Sequence, residues 1–217
     1  MREPVNVIAV WYGDGTLYPA DYLEYLQWAF EEHSEGCELR FHVLTDRDDA
    51  PPDWRAIPFH QDFNSKLKKL EMFRPDICPG ERCVYSDLDN MIVGEIGKVL
   101  DYSGAFAIRT EFDNCTGVSP VQSSFMMWRG GDVAYLYDKA CAHPTLTESY
   151  PIGGGRGDQL FLGEHLEEWE NLEDLFPGAF VSYKWGFRDD PNVRERARVV
   201  YFHGKKGEKP ADIGWAP

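Results

Sequence analysis

Asp87 and Asp89 are the residues in this chain best placed to do chemistry. They stand in Val84-Tyr85-Ser86-Asp87-Leu88-Asp89, where an apolar strand from Cys83 to Tyr85 runs straight into two carboxylates one residue apart. Alternate residues of an extended segment face one side, so both carboxylates can present to one point at the strand's end. Two hard oxygen donors there suit Mg²⁺ or Mn²⁺ holding a diphosphate. Asn90 and then Met91-Ile92-Val93 follow, so the acidic step is framed by apolar runs, which a surface turn would not need. Taken by itself, such a pair in an acidic chain reads as a solvated or capping turn rather than a metal site, so the metal reading needs partners from elsewhere.

The tail offers them. Ala197 to Phe202 reads as a strand, and His203-Gly204-Lys205-Lys206-Gly207-Glu208-Lys209-Pro210 follows. Imidazole can take a metal position. Glycines let backbone N–H groups approach phosphate, and ammonium groups neutralise it. Taken alone, the stretch reads as a basic C-terminus. A second lysine group, Lys66, Lys68 and Lys69, lies on a helix starting at Asn64 or Ser65, with Leu67, Leu70 and Phe73 inward. One of these lysines can reach a phosphate from beside the Asp87 strand.

The elements that must position these groups alternate between strand and helix. Val5 to Trp11 is a near-continuous apolar run, as expected of a central strand covered on both faces. Tyr12-Gly13-Asp14-Gly15 breaks it into a loop at the carboxyl edge, where ligands of α/β sheets bind. Trp11, Tyr12 and Tyr18 either stack on a base there or pack against the next helix. That helix begins at Asp21, with Asp21 and Glu24 at capping-box spacing and Tyr22, Leu23, Leu26, Ala29 and Phe30 on one face. Leu39 to Leu44 is the second strand, completing a βαβ unit. Residues 46 to 62 are loop with a short strand near Ile57. Further strands are expected at Gly104–Ile108 and Ser123–Trp128, with residues 109 to 122 as loop between them. A helix from Asp132 turns Val133, Leu136, Tyr137, Ala140 and Cys141 to one face. Gly153-Gly154-Gly155-Arg156-Gly157 is a permissive entry to a helix from Asp158 that buries Leu162, Leu166 and Trp169, with His165 beside them.

The bulk numbers bound the answer. At 217 residues, 43% hydrophobic and 14% aromatic, the chain fits one domain with a sizeable core. A net charge of −15 argues against direct binding to nucleic acid or anionic lipid. The five cysteines, Cys37, Cys78, Cys83, Cys115 and Cys141, form no Cys-x-x-Cys pair and read as buried or idle thiols of a reducing compartment. No apolar run approaches a membrane span, and Met1-Arg2-Glu3-Pro4 lacks a signal peptide's apolar core. A cytoplasmic protein without membrane insertion is expected.

With both charged stretches in view, the chain resembles glycosyltransferase family 8, the glycogenin-like retaining enzymes of the GT-A fold. Four ordered segments carry the resemblance: Val84 to Asp89 for the Asp-x-Asp strand, Gln122-Ser123-Ser124-Phe125-Met126-Met127 for the Asn-Ser/Ala-Gly-Val strand, Gly157-Asp158-Gln159 for the Gly/Asp-Gln helix start, and His203 to Pro210 for the His…Gly…Lys-Pro element. Together with the first strand they span nearly the whole chain. Gln122 stands where the family usually has Asn, Gly207 sits one place late, and Ala211 replaces a Trp.

The resemblance implies a single α/β GT-A domain over 1–217, with a mixed, mostly parallel central sheet flanked by helices. Its nucleotide-binding half would be 1–100 and its sugar and acceptor half 101–217. It implies that Asp87, Asp89 and His203 bind Mn²⁺ or Mg²⁺ and that the donor is a UDP-sugar. Val10, Trp11, Tyr12, Tyr18, Ser86 and Leu88 would line the nucleotide, and Lys69, Gly204, Lys206 and Lys209 the diphosphate. Gln122, Ser123 and Ser124 would line sugar or acceptor. Asp158 and Gln159 would hold the catalytic positions, with no protein nucleophile, because displacement from the front face is assisted by the leaving phosphate. The acceptor is left open among a glycan, a protein, a small molecule and, disfavoured by charge, a modified nucleic-acid base. Two other readings remain. A nucleotidyltransferase on a related fold would want a basic loop after the first strand, and residues 12 to 20 hold no Lys or Arg. A non-catalytic nucleotide- or glycan-binding module would have no need for acidic and basic half-sites so far apart in the chain.

Overall fold

Seven buried residues in a row, Val5–Trp11, form β1 at the middle of the sheet. They are followed by α1 (Asp21–Glu32), β2 (Leu39–Thr45), β3 (Trp54–Ile57) and a 3₁₀ helix, Ser65–Phe73. Then come β4 (Arg82–Ser86), β5 (Met91–Ile92), α2 (Gly97–Leu100), β6 (Phe106–Thr110), β7 (Val121–Arg129), α3 (Ala134–Ala142), α4 (Leu146–Ser149) and α5 (Asp158–His165). The chain closes with β8 (Glu170–Asn171), α6 (Leu172–Leu175), β9 (Phe180–Ser182), α7 (Pro191–Arg196) and β10 (Val199–Tyr201). This computed structural model describes residues 2–14, 18–112, 120–151, 157–202 and 209–214. No helix among them is long and apolar enough to cross a membrane.

A seven-stranded sheet runs in the order β3-β2-β1-β4-β7-β6-β8, and β5, β10 and β9 form a three-stranded one. Pairing is parallel from β3 through β4 and between β6 and β8, so only β7 runs against the rest. The expected mixed, mostly parallel sheet flanked by helices is therefore present. Helices on both faces explain the near-continuous apolar strands. Val7, Ala9, Trp11 and Val84 face the α1 side, while Ile8, Val10, Cys83 and Tyr85 face the side of the 3₁₀ helix, α3 and α5. The chain leaves β1 toward β2 on one side and later returns to β4 on the other. The carboxyl ends of β1 and β4 therefore flank a topological switch point, where ligands of such sheets bind.

Several local expectations are corrected. The expected lysine-bearing helix is present and is of the 3₁₀ type: Leu67, Leu70 and Phe73 are three apart, and a three-residue turn stacks them into one buried row. Asn64 is its N-cap without a side-chain bond. Ala20, not Asp21, caps α1, and no side chain completes a capping box there. β6 begins two residues later than Gly104, and the bulge between Ile108 and Arg109 lets its pairing with β7 continue to Thr110, past the expected end at Ile108. β7 likewise starts at Val121, inside the stretch assigned to loop. Val133, Leu136 and Ala140 are buried around α3, but Tyr137 is half-buried and Cys141 exposed.

Gly130 closes the turn after β7. Its N–H bonds the Glu81 carbonyl at 2.9 Å and its own carbonyl accepts from Gly80 at 2.8 Å. A methyl group on Gly130 would collide with the Cys78 carbonyl, which is backbone and cannot rotate away. Gly130→Ala is expected to cost about 2 kcal/mol, in the range of overpacking. A urea unfolding midpoint equal to that of the wild type would contradict the close approach.

Candidate functional site

β4 ends at Ser86, so Asp87 and Asp89 leave the sheet at its carboxyl edge. The Asp87 N–H donates to the Ser124 carbonyl on β7 at 2.8 Å. Asn90 braces the same turn, donating from Nδ2 to the Ser124 carbonyl at 2.6 Å and to Ser86 Oγ at 3.1 Å. The turn is thus fixed by polar bonds inside an apolar frame.

Each aspartate holds an ammonium group. Lys69 Nζ, from the 3₁₀ helix, lies 2.7 Å from Asp87 and 3.3 Å from Asp158, the first residue of α5. Lys209 Nζ pairs with Asp89 Oδ2 and donates to the Tyr18 hydroxyl at 3.0 Å. Tyr18 donates to the same Asp89 oxygen at 3.0 Å, and Tyr85 to Asp87 Oδ1 at 2.5 Å. Ser123 Oγ donates to Asp158 at 2.5 Å. Gln122 Oε1 accepts from the Ser124 N–H (3.0 Å), the Ser124 hydroxyl (2.8 Å) and Gln159 Nε2 (2.7 Å). Three acceptances fix that amide's orientation. They also explain how Gln122, Ser123 and Ser124 stay buried on an otherwise apolar strand.

Burial pushes Lys69 toward its neutral form, but the carboxylates of Asp158 and Asp87 outweigh this and hold its pKa well above the ordinary lysine value. Burial raises Asp87 too, yet the Lys69 charge and hydrogen bonds from Lys69, Tyr85 and Ser124 bring it below the usual carboxylate range. Asp89 ends above that range: burial raises it, Lys209 opposes, and the nearby Asp87 charge tips the balance. Burial and the Asp89 charge keep Tyr18 protonated, hence a donor. The first carboxylate is an easily kept anion, and the second holds its proton more readily in the surroundings that the described residues provide.

Among the described residues, three carboxylates face two ammonium groups at this sheet edge. Asp87 and Asp89 are acceptor-only oxygen donors already oriented toward cations, and this fits a hard divalent ion. Among the described residues no three His, Cys, Asp or Glu side chains form a metal cluster. His203, Gly204, Lys206 and the other residues of 203–208 lie outside the described residues, as do Gly153 to Arg156 and Cys115.

The first-strand aromatics divide. Trp11 is 1% exposed, and its Nε1 donates to the Tyr18 carbonyl at 2.7 Å, anchoring the segment that carries Tyr18. The Tyr12 hydroxyl meets Ser65 Oγ at 3.2 Å. Val10, Ser86 and Leu88 are buried around the same edge. Sequence reasoning missed Arg47, whose guanidinium lies 4.2 Å over the Trp11 ring and donates to the Gly13 carbonyl at 2.9 Å. Only its position just after the β2 carboxyl end could have flagged it. It also missed Tyr85 as a donor and Asp158 as partner of Lys69. One strand beyond β7, Arg109, Phe112, Glu173, Trp185 and Arg196 line a cavity of about 410 Å³, and Arg109 stands opposite Gln122 in the sheet.

No family model and no curated protein matches the sequence. Solved structures do match. The glycosyltransferase GlyE of Streptococcus pneumoniae TIGR4 aligns over 99% of this chain with 13% identity and a TM-score of 0.65. An active-site mutant of LgtC aligns over 94% of this chain and 89% of its own, with 13% identity and a TM-score of 0.63. The galactosyltransferase LgtC in complex with donor and acceptor sugar analogs aligns over 92% and 87%, with 12% identity and a TM-score of 0.60. The chain spans 59% of the GlyE chain. Across nearly its whole length, then, this chain has the GT-A fold of these glycosyltransferases.

Proposed function

We propose that the protein is a metal-dependent glycosyltransferase that moves a sugar from a nucleotide sugar, a UDP-sugar in our reading, to an acceptor with retention of configuration. One observation carries the proposal. Asp87, Asp89, Asp158, Lys69 and Lys209, from separate parts of the chain, meet at the carboxyl edge of a GT-A sheet. Mn²⁺ or Mg²⁺ would be held by Asp87 and Asp89, with His203 as the third protein ligand. When bound, the ion would offset the charge that grows on the departing diphosphate.

The chain's own residues would do the rest. Lys69 and Lys209, now paired with carboxylates, are the ammonium groups among the described residues that could turn to the diphosphate, and Lys206 and the Gly204 backbone are proposed to join them. Tyr18 would keep Asp89 oriented. Asp158 is held by Ser123 and Lys69 through its Oδ2, and its role would be to position the donor sugar rather than attack it. Gln122 and Gln159, locked together, would present amide donors to sugar hydroxyls. The cavity at Arg109 would admit the acceptor, with Phe112 and Trp185 as its apolar walls. The absence of Lys and Arg from residues 12 to 20 still weighs against nucleotidyl transfer, since Arg47, the base near that loop, is paired to Asp49 at 2.5 Å.

The test is a panel of nucleotide sugars with Mn²⁺ present, following release of the nucleoside diphosphate. At least one UDP-sugar is expected to be hydrolysed slowly without acceptor, and EDTA is expected to stop it. Release of inorganic pyrophosphate from a nucleoside triphosphate and sugar phosphate would favour the nucleotidyltransferase reading instead.

A further inference from the structure

Asn6, His42 and Cys83 project from β1, β2 and β4 onto one face of the sheet, toward its amino-terminal edge and away from Asp87. Cys78 is brought over them by a tight turn. The Glu81 N–H bonds the Cys78 carbonyl at 3.0 Å. Pro79 at the second position and Gly80 at φ +75° give this turn type II chemistry. Cys78 itself sits at φ +46°, a left-handed conformation that costs a non-glycine residue roughly 1 kcal/mol. Such outliers persist where surrounding structure imposes them, and they cluster at functional sites.

The polar bonds around the thiols assign a proton. Asn6 Nδ2 donates to Glu81 Oε2 at 2.8 Å and to the Arg82 carbonyl at 3.1 Å, so Asn6 Oδ1 is the acceptor facing His42. His42 Nε2, 2.9 Å from that oxygen, therefore carries hydrogen. The same N–H lies 3.8 Å from Cys78 Sγ. His42 is 6% exposed, and its Nδ1 is buried with no hydrogen-bond partner among the described residues. The Cys83 thiol is buried, donates to the Glu81 carbonyl at 3.6 Å and lies against Cys78, which is only half-buried and open to small reagents.

We propose that Cys78 is an oxidant-reactive thiol and Cys83 its resolving partner, together a reversible modification site at the amino-terminal edge of the sheet. The oxidant class is a peroxide. Cys78 sulfur attacks one peroxide oxygen, the O–O bond breaks, and water leaves, giving a sulfenic acid on Cys78. Cys83 sulfur then attacks Cys78 sulfur, and the hydroxyl leaves as water with the Cys83 proton. Two thiols lose two electrons and two protons, and one hydrogen peroxide becomes two waters. The electrostatics agree with these roles: hydrogen bonding from Cys83 opposes burial and, with His42, brings Cys78 down to about 5 despite the Glu81 charge. Cys83 is pushed far up by its bond to Cys78 and by burial. The inference stands independently of the proposed sugar chemistry.

The full-length protein tests it without activity assays. With limiting iodoacetamide at pH 6, Cys78 should be alkylated at least about tenfold faster than exposed Cys141, since thiolate fraction outweighs the loss of intrinsic nucleophilicity. After hydrogen peroxide and a non-reducing tryptic digest, cleaved at Arg82, the peptides carrying Cys78 and Cys83 should be joined by a disulfide. In Cys83→Ser the same treatment should leave a Cys78 sulfenic acid that dimedone traps. Cys141 reacting as fast as Cys78, or peroxide producing linkages other than Cys78–Cys83, would overturn the proposal. Both wild-type readouts hold whether or not the variant folds.

Discussion

Asp89→Asn is expected to abolish metal-dependent UDP binding while the protein stays folded. Asn has the shape of Asp and keeps an oxygen that can accept from Tyr18 and Lys209, the two donors at Asp89 Oδ2. What it loses is the charge that would hold the ion. Even outer-sphere partners of a metal cost 10–100-fold when removed, so losing a direct ligand should weaken UDP binding by more than about 100-fold. Stability should move little, for a reason of sign. A carboxylate raised in the fold binds its proton more tightly there than in the unfolded chain. Its stabilising contribution is therefore present at low pH and lost as pH rises through the folded value. At neutral pH the ionised Asp89 already works against the fold, and neutralising it costs little. A melt by circular dichroism within a few degrees of wild type, beside a flat UDP titration in Mn²⁺, is the expected pair. Retained binding would show that the site lies elsewhere.

Lys69→Met should have the largest effect on stability. Lys69 is the shared counter-ion of Asp87 and Asp158, and the side chains of the three are 14%, 23% and 2% exposed. Removing one partner of a buried pair costs about 3–5 kcal/mol, because the other charge stays buried and unpaired. At roughly 2–4 °C per kcal/mol for a domain of this size, Tm should fall by ~10 °C. The pH dependence should also change shape. In the wild type Asp87 is depressed, so its contribution is present above the unfolded carboxylate value and lost as pH falls through the folded one. Lys69 is raised, so its contribution is present below the unfolded lysine value and lost only as pH rises through the folded one. Stability from this cluster is therefore flat between about pH 5 and 9. Without Lys69, two neighbouring carboxylates repel, one takes up a proton more readily, and Tm should rise from pH 7 to pH 5. A wild-type-like flat profile in the variant would mean that the triad is not a coupled unit.

What was legible in the chain follows from how strongly local pattern was tied to burial. β1, β2, β4 and β7 could be read because strands covered on both faces are mostly apolar, with polar residues such as Asn6, His42 and Gln122 to Ser124 breaking the run in places. α1 could be read from its single buried face. β8, two polar residues at the sheet edge, carries no pattern to read, and the end of β6 was misplaced because a bulge shifts its register. The lysine-bearing segment showed its inward residues but not its 3₁₀ winding, and that winding decides which lysine points at Asp87. The pairing of Asp87 and Asp89 with ammonium groups was legible as charge types, not as partners. Lys69 and Asp158 are separated by most of the sheet in sequence, and Tyr18 suggested a stacking ring rather than a hydroxyl donor to Asp89. Trp11 could be read either as a base contact or as packing, and its side chain is buried and holds the Tyr18 segment.

The most direct check on the proposed chemistry is thermal unfolding of the full chain with UDP, once with Mn²⁺ and once with excess EDTA. Ligand that binds only the folded state raises Tm by mass action, by about 2.7 kcal/mol of stability at 100 times its Kd. A clear rise with Mn²⁺ and none with EDTA is the outcome expected if Asp87 and Asp89 hold UDP through a cation. Equal stabilisation in EDTA would contradict it.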